Sequence, residues 1–582
     1  MRAGLRAGPY KYRNVEAGFS RPFLCTLDAV SRLLATIVTA ALLCTVSVGA
    51  QPSRLGRINF PNSGPASAQP AFIRGVLLLH NFEYDEAIVA FREAQRIAPA
   101  FAMAFWGEAM CFNQPLWRNE DPARARAALQ RLGPTAAERA GKAATAREKG
   151  YLEAVERLFG DGAKAARDRA YADRMAALVR DYPGDNEAVV FYALALLATI
   201  PEGERNPAIS LKAGDLASAV LEKNPQHPGA AHYMLHAYDD GEHNGQALKA
   251  ARIYAGIAPA SSHALHMPSH AFLPLGMWDE AAASDEAAFA ASVAWVKRTG
   301  RSVAQTDFHP LSWLHYEYLQ QGRFAKALDA EKPLREALET TGATDASASG
   351  RLKPAARAPG NHAHVESEIG RGYGSMSLRN ELASMRARYV VESRDWSMMK
   401  GRSSFDNVDE LFALGLSSVA LGDFARADAA IDHLGKAAVS LPDRDLKDIA
   451  AIMQEQLRGV LQFARGSREA GLAALARATE LEARRPRPIA RPYPIKPAAE
   501  LYGELLVAAG NARAAVTQFE NALRRTPRRA ASLFGLAGAA AAAGDSRKAS
   551  AAAQEFLAVW HAADAGRPEL ADVRAMVTTY KK

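Results

Sequence analysis

A set of small and large residues recurs in this chain at intervals that suit a helical hairpin. The segment 84–99, "YDEAIVAFREAQRIAP", has intervals of four, three and five residues between Ala87, Phe91, Ala94 and Pro99. The segment 511–527 repeats these residue types and intervals in Ala515, Phe519, Ala522 and Pro527. Antiparallel helices pack closely where small side chains let their backbones approach, and a proline ends a helix. The pattern therefore predicts pairs of antiparallel helices.

A single helix pair cannot bury its apolar face, so such units must stack on one another. Looser copies of the pattern recur from about residue 68 to residue 562, and runs of strand-forming residues are scarce. We predict an all-α fold, an α-solenoid of antiparallel helix pairs. The spacing resembles the tetratricopeptide repeat (TPR) family, and this resemblance implies a superhelix whose concave groove binds partners.

Three segments fit the repeat poorly and divide the chain. Residues 51–67 are predicted to be a flexible lead-in, residues 340–375 a loop or lid, and residues 484–497, "RRPRPIARPYPIKP", a stiff proline-rich linker. The repeats then form an N-terminal solenoid (68–339), a middle group (376–483) and a C-terminal group (498–582).

The first fifty residues have the features of a bacterial signal peptide. An apolar run at 33–48 is short for a membrane span, follows the basic residues Arg21 and Arg32, and ends in Val48-Gly49-Ala50. We predict cleavage near Ala50 and a periplasmic or secreted protein that is not inserted in the membrane after cleavage.

Charge and cysteine content exclude other classes of protein. The formal net charge is +8 over 582 residues, and no basic stripe interleaves with aromatic residues, so nucleic acid is not an expected partner. Two of the three cysteines lie in the predicted signal peptide, so Cys111 has no partner for an internal disulfide.

Histidines recur 34 residues apart, which is the length of one TPR repeat. "GAAHYMLHAYDD" (229–240) contains His232 and His236, and "SSHALHMPSH" (261–270) contains His266 and His270, each 34 residues after its counterpart. Residues four apart share one face of a helix. The TPR resemblance implies that these positions of successive first helices line the concave groove, centred on residues 227–316.

Two histidine pairs on neighbouring helices can converge on one metal ion. We predict a metal site formed by His232, His236, His266 and His270. Further ligands, or partners that orient these ligands, are His263, His309 and Asp239. Nitrogen ligands favour a divalent transition metal, zinc first, with copper or nickel as alternatives.

A proline complicates this geometry. Pro268 lies between His266 and His270 and has no amide proton to donate to the carbonyl of Ala264. The helix therefore either begins near Met267 or kinks there, and the second histidine pair is less regular than the first.

The TPR resemblance also places other residues in the groove. These candidate ligand-binding residues are Trp106, Met110, Asn113 and Tyr316. The motifs "HMPSH", "HPGAAHYMLHAYDD" and "AMAFWGEAMCFNQPLW" are similar to segments of exported bacterial TPR proteins with no assigned activity, so this resemblance implies no reaction.

Three functions follow from these features. The first is an exported TPR binding protein with a transition-metal ion in its groove, where a protein or peptide can also dock. The second is a metal-dependent hydrolase in which Asp239, Asp240 or Glu242 is the general base. The third is a metal-free scaffold for protein–protein interaction in the cell envelope. The chain contains no phosphate-binding glycine loop, GxSxG or HExxH motif.

Overall fold

The computed structural model describes residues 55–201, 203–340, 375–402 and 405–579. Regular structure in these ranges is helical apart from two short strands, Asn113–Gln114 and Asn119–Glu120, which pair antiparallel. Successive helices pack against each other in antiparallel pairs. The predicted all-α solenoid of antiparallel helix pairs is confirmed.

The helices up to the histidine-rich region are α1 (Gln69–His80), α2 (Tyr84–Ile97), α3 (Ala102–Met110), α4 (Pro122–Leu132), α5 (Ala136–Lys142), α6 (Ala146–Leu158), α7 (Lys164–Asp181), α8 (Asn186–Ala198) and α9 (Pro207–Lys223). Those from the histidine-rich region to residue 340 are α10 (Pro228–Ala237), α11 (Leu248–Ile257), α12 (Ser262–His266), α13 (Ser269–Phe272), α14 (Trp278–Thr299), α15 (His309–Gln320), α16 (Phe324–Ala330) and α17 (Lys332–Thr340).

The helices after residue 374 are α18 (Ser375–Ser393), α19 (Val408–Ala420), α20 (Phe424–Ser440), α21 (Arg444–Ala464), α22 (Arg468–Ala483), α23 (Ala498–Ala508), α24 (Ala512–Arg525), α25 (Ala530–Ala542), α26 (Ser546–Val559) and α27 (Pro568–Thr579). Short 3₁₀ turns are Pro115–Trp117, Asn244–Ala247, Leu273–Leu275, Val303–Gln305 and Trp396–Met399.

The small and large residues of the repeat pack as the pattern predicts. Phe91 of α2 is fully buried, and its ring fills the space beside Gly75 of α1 and Gly107 of α3. A Cβ at Gly75 would lie 2.7 Å from this ring, and one at Gly107 would lie 2.2 Å from it. Phe519 of α24 is likewise packed against glycines of α23 and α25. The repeated phenylalanine is thus the large residue around which three helices close.

The proline-rich segment 484–497, predicted to be a stiff linker, is partly buried in the protein. Arg491 is buried and donates to the carbonyl of Ser312 at 3.1 Å and to Glu381 at 3.0 Å, and Ile495 is also buried. The C-terminal repeats also share a core with the N-terminal ones, since Trp560 donates to the carbonyl of Gln320 at 3.0 Å. The segment 484–497 therefore packs against two hydrophobic clusters, with Ala490 on the first and Ile495 in the second.

The predicted signal peptide and nearly all of the predicted loop at 340–375 lie outside the described residues. Among the helices of the described ranges, none combines the length and the apolar character that crossing a membrane requires.

Candidate metal centre

The predicted histidines lie in two clusters of three. The first triad consists of His232, His236 and His263, and the second triad of His266, His270 and His309. Within each triad the candidate ligand atoms lie within 4.8 Å of one another. The two triads adjoin, with 6.3 Å between the ring centroids of His236 and His270. The four histidines expected around one ion are therefore divided, two to each triad, and His263 and His309 complete the sets.

The first triad joins two helices. His232 and His236 lie one turn apart on α10, and α12 presents His263. The Nε2 atom of His232 is 3.1 Å from Nε2 of His236 and 2.8 Å from Nε2 of His263. Two nitrogens that are each about 2.0–2.1 Å from one ion lie about 2.8–3.4 Å apart. These separations suit ligands of a shared metal ion.

A backbone carbonyl sets the tautomer of His232. Its Nδ1 atom lies 2.6 Å from the carbonyl oxygen of His80, the last residue of α1. A carbonyl only accepts, so Nδ1 carries the hydrogen and the Nε2 lone pair faces His236 and His263. Burial, followed by the proximity of His263, holds the pKa of His232 well below its ordinary value. The imidazole is therefore neutral, which metal ligation requires.

The second triad is built around the break at Pro268. The helix predicted to kink there divides into α12 and α13, with Met267 and Pro268 between them. His266 ends α12, His270 lies on α13, and their Nε2 atoms are 3.0 Å apart. His309 begins α15, with its ring centroid 4.7 Å from that of His266. The break thus directs two histidines toward α15.

Buried carboxylates orient two ligands of the second triad. Nδ1 of His266 is 2.5 Å from Asp285, and Nδ1 of His270 is 2.7 Å from Asp239. Carboxylate–histidine pairs of this kind fix the ring orientation and leave Nε2 for a metal. Of the roles predicted for Asp239, the geometry suits a partner that orients a ligand.

Aromatic rings lie against both triads. The ring centroid of Phe82 is 4.3 Å from that of His232 and 5.6 Å from that of His263, and Trp313 is 4.5 Å from His270. Phe82 follows the end of α1 with a φ of 60°, in the left-handed region where glycine is usual after a helix. Its ring therefore reaches the triad from a backbone conformation that is costly for phenylalanine.

A third group of potential ligands differs from the triads. His80, Glu187 and His227 are buried together. Glu187 accepts from Nε2 of His80 at 2.8 Å and from Nε2 of His227 at 3.0 Å. The other nitrogens also have partners, the hydroxyl of Tyr233 for His80 and the amide of Ala230 for His227. This group is satisfied as a hydrogen-bonded network, and it supports the end of α1 whose carbonyl orients His232.

We predict that this network destabilises the protein in acid. Burial alone would raise the pKa of Glu187, but His227 and His80 outweigh burial and lower the pKa to about 2. A depressed carboxyl pKa adds stability above the unfolded value of about 4.3, and this stability is lost as pH falls toward 2.

The test is the free energy of unfolding of metal-free wild-type protein and of Glu187→Gln between pH 7 and 2. The wild type should be more stable at pH 7 by about 3 kcal/mol, and the difference should shrink below about pH 4.3. A difference that is constant over this range would contradict the assignment.

The other residues predicted to line the groove are buried. Trp106 is fully buried among the rings of Phe60, Tyr151 and Phe191. Tyr316 is fully buried too, and its hydroxyl accepts from Arg529 at 3.0 Å. Met110 and Asn113 are also buried and line a small internal cavity. These positions hold packing residues because neighbouring helices cover them, in contrast to the groove role expected from the resemblance.

Two of the three carboxylates predicted as general bases already contact histidines, and the third lies in an exposed turn. Asp239 contacts His270, and the side chain of Asp240 contacts Nδ1 of His243 at 2.5 Å. Glu242 is exposed and follows α10 in a turn.

A cleft reaches the first triad from outside. It has a volume of about 1190 Å³ including its open mouth, and His263 is one of its lining residues. Phe82, Trp117 and Trp295 form aromatic parts of its wall. An entry path of this kind is a feature of a ligand-binding site.

Sequence reasoning missed the residues that orient the triads. His80, Phe82 and Asp285 lie far from the histidine motifs in the chain, and none belongs to a recognisable spacing with them. Only the HxxxH pairs carried a local signal.

No family model matches the chain, and no curated protein matches its sequence. Among solved structures, it is similar to the Cut9–Hcn1 hetero-tetramer of the APC/C, with 10% identity, 95% of this chain and 82% of that chain covered, and a TM-score of 0.27. It is similar to human IFIT1 bound to m7Gppp-AAAA, with 12% identity, coverage of 87% and 92%, and a TM-score of 0.29. Yeast Tom70 is similar with 13% identity, coverage of 88% and 96%, and a TM-score of 0.28. The paired helices of this chain themselves show that it is an α-solenoid.

Proposed function

We propose that this protein binds divalent transition-metal ions, one at each histidine triad. Zinc is the favoured ion, and copper and nickel suit the same nitrogen ligands. The observation that carries this proposal is the convergence of Nε2 atoms, with separations of 3.1 and 2.8 Å in the first triad and 3.0 Å in the second.

The orientation of the rings supports metal binding over a simple hydrogen-bonded network. In the group of His80, Glu187 and His227, the ring nitrogens point toward a carboxylate, a hydroxyl and an amide. In the triads, the outward Nδ1 atoms of His232 and His270 bond to a carbonyl and a carboxylate, and Nε2 faces other imidazoles. This is the arrangement in which a metal ion takes the inner nitrogens.

The test is elemental analysis of protein purified without a metal-affinity tag and then dialysed against buffer containing zinc. We expect about two ions per chain in the wild type. His433→Ala should retain both, because His433 is a half-buried histidine of α20 outside the triads. A folded wild-type protein with no stoichiometric zinc, copper or nickel would contradict the proposal and favour the metal-free scaffold.

The second candidate is a metal-dependent hydrolase. Three protein ligands leave a coordination position for water, and zinc lowers the pKa of that water toward 7. Glu83 replaces the three bases predicted from the sequence as the best-placed candidate, because it lines the cleft together with His263. This function requires metal-dependent turnover that Glu83→Gln abolishes while both ions stay bound.

A further inference from the structure

We propose that the two metal sites have different roles: the first triad takes a small neutral or cationic aromatic ligand from the cleft, and the second triad is closed. This inference rests on the proposed metal binding. It assigns the ligand class and the site at which the ligand reaches the metal.

The first triad is the accessible one. His263 contributes to the cleft wall, and His236 is only half-buried. Phe82 and Trp117 line the same cleft, and their ring centroids lie 5.6 and 5.7 Å from that of His263. A molecule that enters the cleft therefore meets aromatic rings beside a metal ligand.

The second triad is enclosed by protein. His266, His270 and His309 are 1%, 2% and 6% exposed, and none of them is among the described residues that line the cleft. Trp313 packs on the rings of the triad, and Asp285 contacts His266 from within the core. An ion held there is expected to exchange slowly with the solvent.

The cleft wall selects ligands by charge. Its lining contains four carboxylates, those of Glu83, Asp85, Glu86 and Asp307, and one guanidinium, that of Arg298. Burial, followed by the proximity of Glu86, raises the pKa of Glu83 to about 7, so this acid is only partly ionised near neutral pH and Asp85, Glu86 and Asp307 supply most of the negative charge. These carboxylates oppose the positive charge that an ion bound at the triad would add, so they disfavour an anion in the cleft and attract a cation, which the faces of aromatic rings also attract.

The shape of the wall selects aromatic ligands. Trp295 lines the cleft and donates its indole N–H to Glu86 at 2.9 Å, which holds the ring in place. The guanidinium of Arg301 lies over one face of this ring, 4.5 Å from its centroid, so Phe82, Trp117 and the other face of Trp295 supply the apolar surface on which an aromatic ring stacks favourably. A heteroaromatic base fits both the wall and an open position on a metal ion.

The experiment uses the full chain loaded with cobalt(II), whose visible absorption reports changes in coordination. The probes are 4-methylimidazole, a neutral or cationic heteroaromatic base, and benzoate, an aromatic anion. Four proteins are compared, namely wild type, His236→Ala in the first triad, His309→Ala in the second triad and His433→Ala as the control. Circular dichroism establishes that each is folded, and gel filtration that cobalt stays bound in the presence of the probe.

We expect 4-methylimidazole to change the cobalt spectrum of the wild type, His433→Ala and His309→Ala, and to leave His236→Ala unchanged. Benzoate should bind about tenfold more weakly. The inference is overturned if cobalt is bound but the response is lost in His309→Ala, persists in His236→Ala or is absent from all four proteins. Equal or tighter binding of benzoate overturns the ligand class. Failure of folded wild type to bind cobalt at all overturns the proposed function itself.

Discussion

Replacing His232 with alanine is expected to remove the ion of the first triad while the second triad keeps its ion. Nε2 of His232 is the atom that approaches both other ligands, at 3.1 Å from His236 and 2.8 Å from His263. Without it, two ligands on separate helices remain. Loss of a residue that merely orients a ligand lowers metal affinity about 10–100-fold, so loss of this ligand should weaken the first site by more than about 100-fold. Competition with a chromophoric chelator measures the affinity, and the zinc content should fall from about two to about one per chain.

A matched variant separates ligation from packing. His232 is fully buried, so truncation to alanine also leaves a cavity. His232→Leu restores most of the volume but supplies no nitrogen, and it should lose the same ion with less loss of stability. Retention of two tightly bound ions in either variant would show that His232 is a structural residue.

Of the substitutions proposed for this protein, Arg529→Leu is expected to lower the free energy of unfolding most. Arg529 is completely buried and donates to both oxygens of Glu500, at 2.7 and 3.0 Å, and to Tyr316 of α15 at 3.0 Å. It also pairs with Glu392 of α18 at 2.7 Å. Glu500 keeps its pair with Lys496 at 2.9 Å, but Glu392 loses the guanidinium, and removing one partner of a buried ion pair costs about 3–5 kcal/mol. The midpoint of urea unfolding, followed by tryptophan fluorescence, should fall accordingly.

The control for this prediction is Arg513→Leu, the same substitution at an exposed arginine of α24. Surface substitutions of this kind change stability by about 0.5 kcal/mol or less. Equal unfolding midpoints for Arg529→Leu and Arg513→Leu would contradict the role assigned to Arg529 in joining the C-terminal repeats to α15 and α18.

Much of the fold was predictable because its signals are local. Ala87, Phe91 and Ala94 share one face of α2. The small residues that Phe91 packs against, Gly75 and Gly107, lie on the neighbouring helices α1 and α3. The burial of the proline-rich segment was not predictable. Arg491 donates to Ser312 and Glu381, which are distant in the chain, and the composition of the segment does not indicate such long-range contacts.

The histidine site was predictable only in part. The recurrence of His232 and His236 at His266 and His270 indicated that successive repeats bring imidazoles together. The grouping of the six histidines into two triads could not be predicted from the sequence, because it depends on the directions of the two short helices α12 and α13 on either side of Pro268. Trp106 and Tyr316 were predicted to line the groove but are fully buried. A position that faces the groove in one repeat becomes a core position when another helix covers it.

The sequence by itself determined that this chain forms paired helices, since the spacing of small and large residues is local. It also determined that histidines recur at equivalent positions of adjacent pairs, since each recurs after 34 residues. The tertiary structure alone decided which three imidazoles meet, that the His80 carbonyl sets the tautomer of His232, and that a cleft opens onto one triad. The physical reason is that a metal site requires atoms to converge to about 3 Å. Here that convergence depends on how α1, α10, α12, α13 and α15 pack, a relation between distant segments that no local pattern contains.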